Sequence, residues 1–177
     1  MIAGSASFKT DGGPKPILVL GLGNVLLGDD GVGPALLEEL VARNSADSPA
    51  VEFVDGGTQG LALLGLVADR KALVILDALN TGETPGTVSV LTGRKEISVP
   101  QECGCSAHES NAVELLAVTA LLGDLPERLY VVGVQPESVC TRLGLSKTVQ
   151  ASIEPALTKT KQIVDQLVLE LATPVQV

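Results

Sequence analysis

The 177-residue chain contains no tryptophan, one tyrosine and two phenylalanines. It therefore has almost no aromatic surface on which to stack successive bases of a nucleic acid. Basic residues are also scarce: 12 Lys and Arg stand against 21 Asp and Glu, a formal net charge of −9. Phosphate-rich partners need a basic footprint, so neither nucleic acid nor an anionic membrane surface is an expected partner. No apolar run approaches the roughly 20 residues that span a bilayer. Residues 1–16 lack the apolar stretch of a signal peptide and read as a flexible tail, which makes the cytoplasm the expected location. Cys103, Cys105 and Cys140 are too few for a disulfide framework. Nothing repeats, and no low-complexity run or linker divides the chain. The expectation is one domain over residues 17–171 between the tails 1–16 and 172–177, working as a monomer.

What is abundant is aliphatic. Hydrophobic residues make up 45% of the chain, enough for a sizeable core built from Leu, Val, Ile and Ala. Short apolar runs predict strands at Ile17–Leu22, Val51–Val54, Ala72–Asp77, Thr87–Leu91 and Leu129–Val134. Helical spacing predicts helices at Gly33–Arg43, Gly60–Val67, Glu109–Leu122 and Ser146–Glu170. The alternation indicates an α/β fold: a five-stranded, mostly parallel twisted sheet with helices on both faces. Thr87–Leu91 follows its predecessor after a turn too short for a crossover helix, so it fits an antiparallel edge strand. Pro155 is expected to divide the last helix into a short piece before it and a longer piece after it.

The stretch Gly21-Leu22-Gly23-Asn24-Val25-Leu26-Leu27-Gly28-Asp29-Asp30-Gly31-Val32-Gly33 joins the first strand to the first helix. It is not a dinucleotide fingerprint: the third glycine of G-x-G-x-x-G would fall on Leu26. A pyrophosphate at the helix N-terminus would also meet Asp29 and Asp30. Carboxylates at a strand end suit a cation. Asp29 reads as a helix cap and Asp30 as the functional acid. Asp77 closes an apolar strand, where a charge is costly unless used or paired. His108, the only histidine, precedes a helix. With the usual strand order all three face one cleft at the carboxyl ends of the strands. Two carboxylate oxygens and one imidazole nitrogen suit a borderline divalent cation and leave coordination positions open.

Taken together, these pieces resemble the maturation endopeptidases of nickel–iron hydrogenases. The resemblance rests on Gly21-Leu22-Gly23-Asn24 through Gly28-Asp29-Asp30-Gly31-Val32-Gly33, on Asp55-Gly56-Gly57-Thr58, and on Leu76-Asp77-Ala78. It continues through Pro85-Gly86-Thr87, Ala107-His108 and Gly133-Val134-Gln135-Pro136-Glu137. It implies a hydrolase that removes a C-terminal peptide from the precursor of the hydrogenase large subunit once nickel has been inserted there. It implies that nickel is recognised in the substrate and is not a resident cofactor. Asp30, Asp77 and His108 are then both the metal-contacting and the catalytic residues, in an aspartic-type or metal-assisted peptidase. Some members carry Glu where this chain has Asp30. Two other uses remain open at this point: a docking chaperone that binds a metal-loaded partner without cutting it, and a nucleotide-binding domain.

Other motifs carry less. Asp55-Gly56-Gly57-Thr58 is either a tight turn or part of the cleft mouth. Glu137 reads as a turn residue. Cys103-x-Cys105-x-x-His108 has soft-metal donors, but two cysteines so spaced rarely close a structural site. Cys140 reads as a minor core or loop residue.

Overall fold

The computed structural model describes residues 14–43, 48–93 and 111–172. The elements are β1 (Ile17–Leu22), α1 (Val32–Ala42), β2 (Val51–Gly57), α2 (Leu64–Val67), β3 (Ala72–Ala78) and β4 (Val88–Thr92), followed by α3 (Asn111–Leu122), β5 (Arg128–Val134), α4 (Lys147–Ala151) and α5 (Ile153–Ala172). Single 3-10 turns precede α1 (Asp29–Gly31) and α2 (Gly60–Leu63).

The strands form one sheet in the order β2-β1-β3-β5-β4. β1, β2, β3 and β5 run parallel. β1 and β3 are apolar at almost every position because helices cover both of their faces, so neither face alternates with polar residues. Ile17, Val19, Val74, Leu76 and Val132 pack on one face against Leu36, Leu37 and Leu40 of α1 and Leu157, Val164 and Leu167 of α5. Leu18, Leu20, Leu73, Ile75 and Val131 pack on the other against Leu63, Val67, Ala112, Leu115 and Leu116. Arg70 closes the far end of the sheet: its guanidinium is buried, 2.7 Å from Glu52 and bonded to the carbonyls of Lys15 and Leu66.

β4 is the expected antiparallel edge strand. Its partner is β5, with Val88 opposite Val134 and Thr92 opposite Tyr130. The strand before it in sequence, β3, is already bonded on both sides, by β1 and β5, and has no free edge. The last helix divides earlier than Pro155. The break falls at Ser152, whose hydroxyl donates to the carbonyls of Gly86 and Thr148. Pro155 is the third residue of α5, where its missing N–H costs no helical bond. Ser146 caps α4, its hydroxyl accepting the Val149 N–H at 3.2 Å.

Candidate active site

In an open parallel sheet the ligand crevice lies beyond the carboxyl ends of the strands where the order reverses. Here that point is between β1 and β3: the chain leaves β1 for β2 on one side, while β3 leads to β5 on the other. α1 enters the crevice at Gly33, which has no room for a side chain. A Cβ there would meet the carbonyl oxygens of both Leu22 and Leu76. The turn out of β1 is equally tight. Gly23 has φ of 130°, and a Cβ on it would strike the carbonyl of Asp30.

Asp30 sits on this turn, half-buried, its Oδ2 accepting the Asn24 N–H at 2.7 Å. The Asn24 side chain accepts the Leu26 N–H at 3.0 Å, and its carbonyl accepts the Leu27 N–H at 2.9 Å. The loop thus folds around Asn24, which ties the Asp30 carboxylate to the turn. Asp77 lies near the carboxyl end of β3, buried, on the face it shares with Leu73 and Ile75. Its Oδ1 accepts the Ala78 N–H at 2.8 Å. Asp77 thus stands near the end of β3, and Asp30 lies in the 3-10 turn that follows β1, the strand paired beside it. His108, Cys103 and Cys105 lie outside the described residues. Among the described residues no three of His, Cys, Asp and Glu group closely enough to hold a metal ion.

Asp29 is not a helix cap. Gly31 occupies the N-cap of α1, with no side chain bonded to the helix end. Asp29 is instead fully buried and reaches across to the segment between β5 and α4. Its Oδ2 accepts the N–H groups of Glu137 and Ser138, each at 2.9 Å, and its Oδ1 accepts that of Ser146 at 2.6 Å. The Arg142 guanidinium stands 3.6 Å away. Burial pushes the carboxyl pKa up, but the bonds from Ser146, Ser138 and Glu137 outweigh it and hold the group below its ordinary value. Backbone bonds reinforce the join: Gly28 donates to Arg142 at 2.8 Å, Arg142 to Leu26 at 3.0 Å and Asp29 to Ser138 at 3.2 Å.

Gln135 secures the other side. It is buried just after β5, its Oε1 accepting the Thr81 N–H at 2.9 Å and its Nε2 donating to Asn80 Oδ1 at 3.1 Å. It thereby anchors the loop that leaves Asp77. No role for Gln135 is expected from the sequence alone, though a glutamine directly after an apolar strand could have marked it, whereas the partners of Asp29 leave no local trace. Glu137 contributes its backbone while its side chain is exposed. Asp55 is an exposed strand-end acid whose Oδ1 accepts the Gly57 N–H at 2.9 Å. Cys140 is an exposed loop residue.

Comparison with known proteins bears on this arrangement. A family model described as hydrogenase maturation protease (HycI) matches residues 34–163. The hydrogenase 2 maturation protease of Escherichia coli K12 is 40% identical over 142 residues, which cover 80% of this chain and 85% of that protein. The hydrogenase expression/formation protein HupD of Thiocapsa roseopersicina is 38% identical over 145 residues, 80% of this chain and 64% of that protein. Among solved structures, the hydrogenase maturating endopeptidase HybD from E. coli superposes with a TM-score of 0.72 at 35% identity, covering 85% of this chain and 92% of that one.

Proposed function

The chain belongs to the hydrogenase maturation protease family, and we propose that it removes the C-terminal peptide from the nickel-loaded precursor of a nickel–iron hydrogenase large subunit. The observation that supports the reading is that Asp77 stands near the end of β3 while Asp30 lies in the turn that follows β1, the strand beside it at the switch point. Nickel arrives with the substrate, held by the substrate's own thiolates. Asp30, Asp77 and His108 complete its coordination, which sets the scissile bond in register. Two oxygens and one imidazole nitrogen match a borderline cation already satisfied in part by sulfur.

Hydrolysis adds one water across the amide. The water oxygen bonds to the carbonyl carbon, and a proton goes to the leaving nitrogen. A carboxylate beside the bond accepts the water's proton as general base, and a bound divalent metal lowers the pKa of that water. The unit that does this is the monomeric domain over residues 17–171, acting in the cytoplasm. Among the described residues no helix is long and apolar enough to cross a membrane.

Mass spectrometry of a cognate precursor, nickel-loaded and nickel-free, tests the reading. The expected result is loss of a C-terminal peptide from the loaded form alone. In Asp30→Ala, Asp77→Ala and His108→Ala that loss disappears while the fold persists. A stable complex without cleavage assigns a docking role instead. Equal cleavage of both forms removes nickel as the recognised element, and a fully active His108→Ala variant removes that residue from the site.

A further inference from the structure

Two grooves meet beside the turn that carries Asp30. The larger, about 590 Å³, runs along α1 and is lined by Pro34, Ala35, Val41, Ala42 and Leu145 among others. The smaller, about 220 Å³, opens onto Gly57 and Thr58. Val25, Pro34 and Asp55 line both, so the two form one trough. The larger lies within the size range of ligand sites. Val25 and Val41 are 54% and 45% exposed, an apolar floor that no other described residue covers.

Charge on the lining comes from Glu38 and Asp55, both exposed acids. The nearby Arg142 guanidinium stands 3.6 Å from the Asp29 carboxylate. An apolar floor edged by two acids fits a chain that carries both apolar and cationic side chains. The trough also reaches the loop that holds Asp30. Asn24 lines the smaller arm, and its N–H is the one that Asp30 accepts.

We propose that this trough holds an extended stretch of the precursor polypeptide next to the bond being cut. Its apolar side chains rest on Val25, Pro34 and Val41, and a lysine or arginine faces Asp55 and Glu38. The proposal rests on the maturation-protease reading and adds to it a second recognition element, independent of the metal.

Steady-state cleavage of the nickel-loaded precursor over a sodium chloride series tests it, with the double variant Asp55→Asn/Glu38→Gln and, separately, Val41→Asp. Asparagine keeps an oxygen for the Gly57 N–H, so the turn at Asp55 survives. For the double variant at low salt, KM is expected to rise about threefold to tenfold, as loss of two exposed charge pairs predicts, with kcat within about twofold. Its KM should also lose the salt dependence shown by the unmodified protein. Val41→Asp raises KM at all salt concentrations. If the unmodified protein cleaves the precursor and the variants match its KM throughout, the proposal fails and the maturation-protease reading stands. A fall in kcat alone also overturns it. If the unmodified protein leaves the loaded precursor intact, the reading fails and takes the proposal with it. Self-association that Val41→Asp abolishes, seen by sedimentation, would assign the trough to a second copy and overturn the proposal.

Discussion

The carboxylate of Asp29 accepts three backbone N–H groups inside the protein, while that of Asp30, one residue on, accepts one at the rim. The first is consumed by structure; the second is half-buried on the turn with a single backbone partner among the described residues. Asp29→Asn puts an amide N–H against groups that are themselves donors. It is expected to cost about 3 kcal/mol of stability, read as a lowered denaturant midpoint with an unchanged slope. The carboxyl is held below its ordinary value of 3.8, so its contribution is complete above that pH. It is lost as pH falls through the lower folded value. An acid titration of unfolding free energy should show this loss in the parent protein and a reduced one in Asp29→Asn. The acidic pair was visible in the sequence, and so was its unsuitability for a phosphate. Which acid faces inward was not, because the partners of Asp29 lie 108 to 117 residues away and leave no periodicity or spacing.

Among the elements, the N-terminus of α1 does most to shape the crevice. It closes to backbone distance of β1 and β3 only because position 33 is glycine. Gly33→Ala would force the helix away from the carbonyls of Leu22 and Leu76. The expected cost is about 1–3 kcal/mol, as for other overpacked positions, together with loss of processing, measured by thermal unfolding and precursor cleavage. Element type was legible wherever a run was long and apolar, as in β1 and β3. The antiparallel edge position of β4 was legible too, but its partner β5 was not, since a strand's neighbour is decided by which edges remain open, a property of the whole sheet. The break at Ser152 was misjudged for a similar reason: the hydroxyl is drawn to the Gly86 carbonyl from another part of the chain. A proline three residues on was the louder signal but only occupies a first turn. His108 and its neighbours, the third arm of the predicted site, fall outside the described residues, so that part of the expectation rests on the sequence.

At the scale of the molecule, one sheet supports two apolar cores, and loss of the strands they share exposes both. Unfolding is therefore expected to be a single transition. The intrinsic fluorescence of Tyr130, the chain's one tyrosine, and far-UV circular dichroism should report the same midpoint in urea. Separate midpoints would mean that the two cores come apart independently. The stitching of the first loop by Asp29 has a consequence in time. The turn bearing Asp30 is among the first parts of the domain to leave the ribosome, yet Glu137, Ser138 and Ser146 supply the donors that fix it. Until those residues emerge, a carboxylate destined for the interior is still bonded to water, and the turn is held by its local contacts alone. The nascent chain thus carries Asp30 long before it holds the residues that fix the turn around it, which come only with its last third.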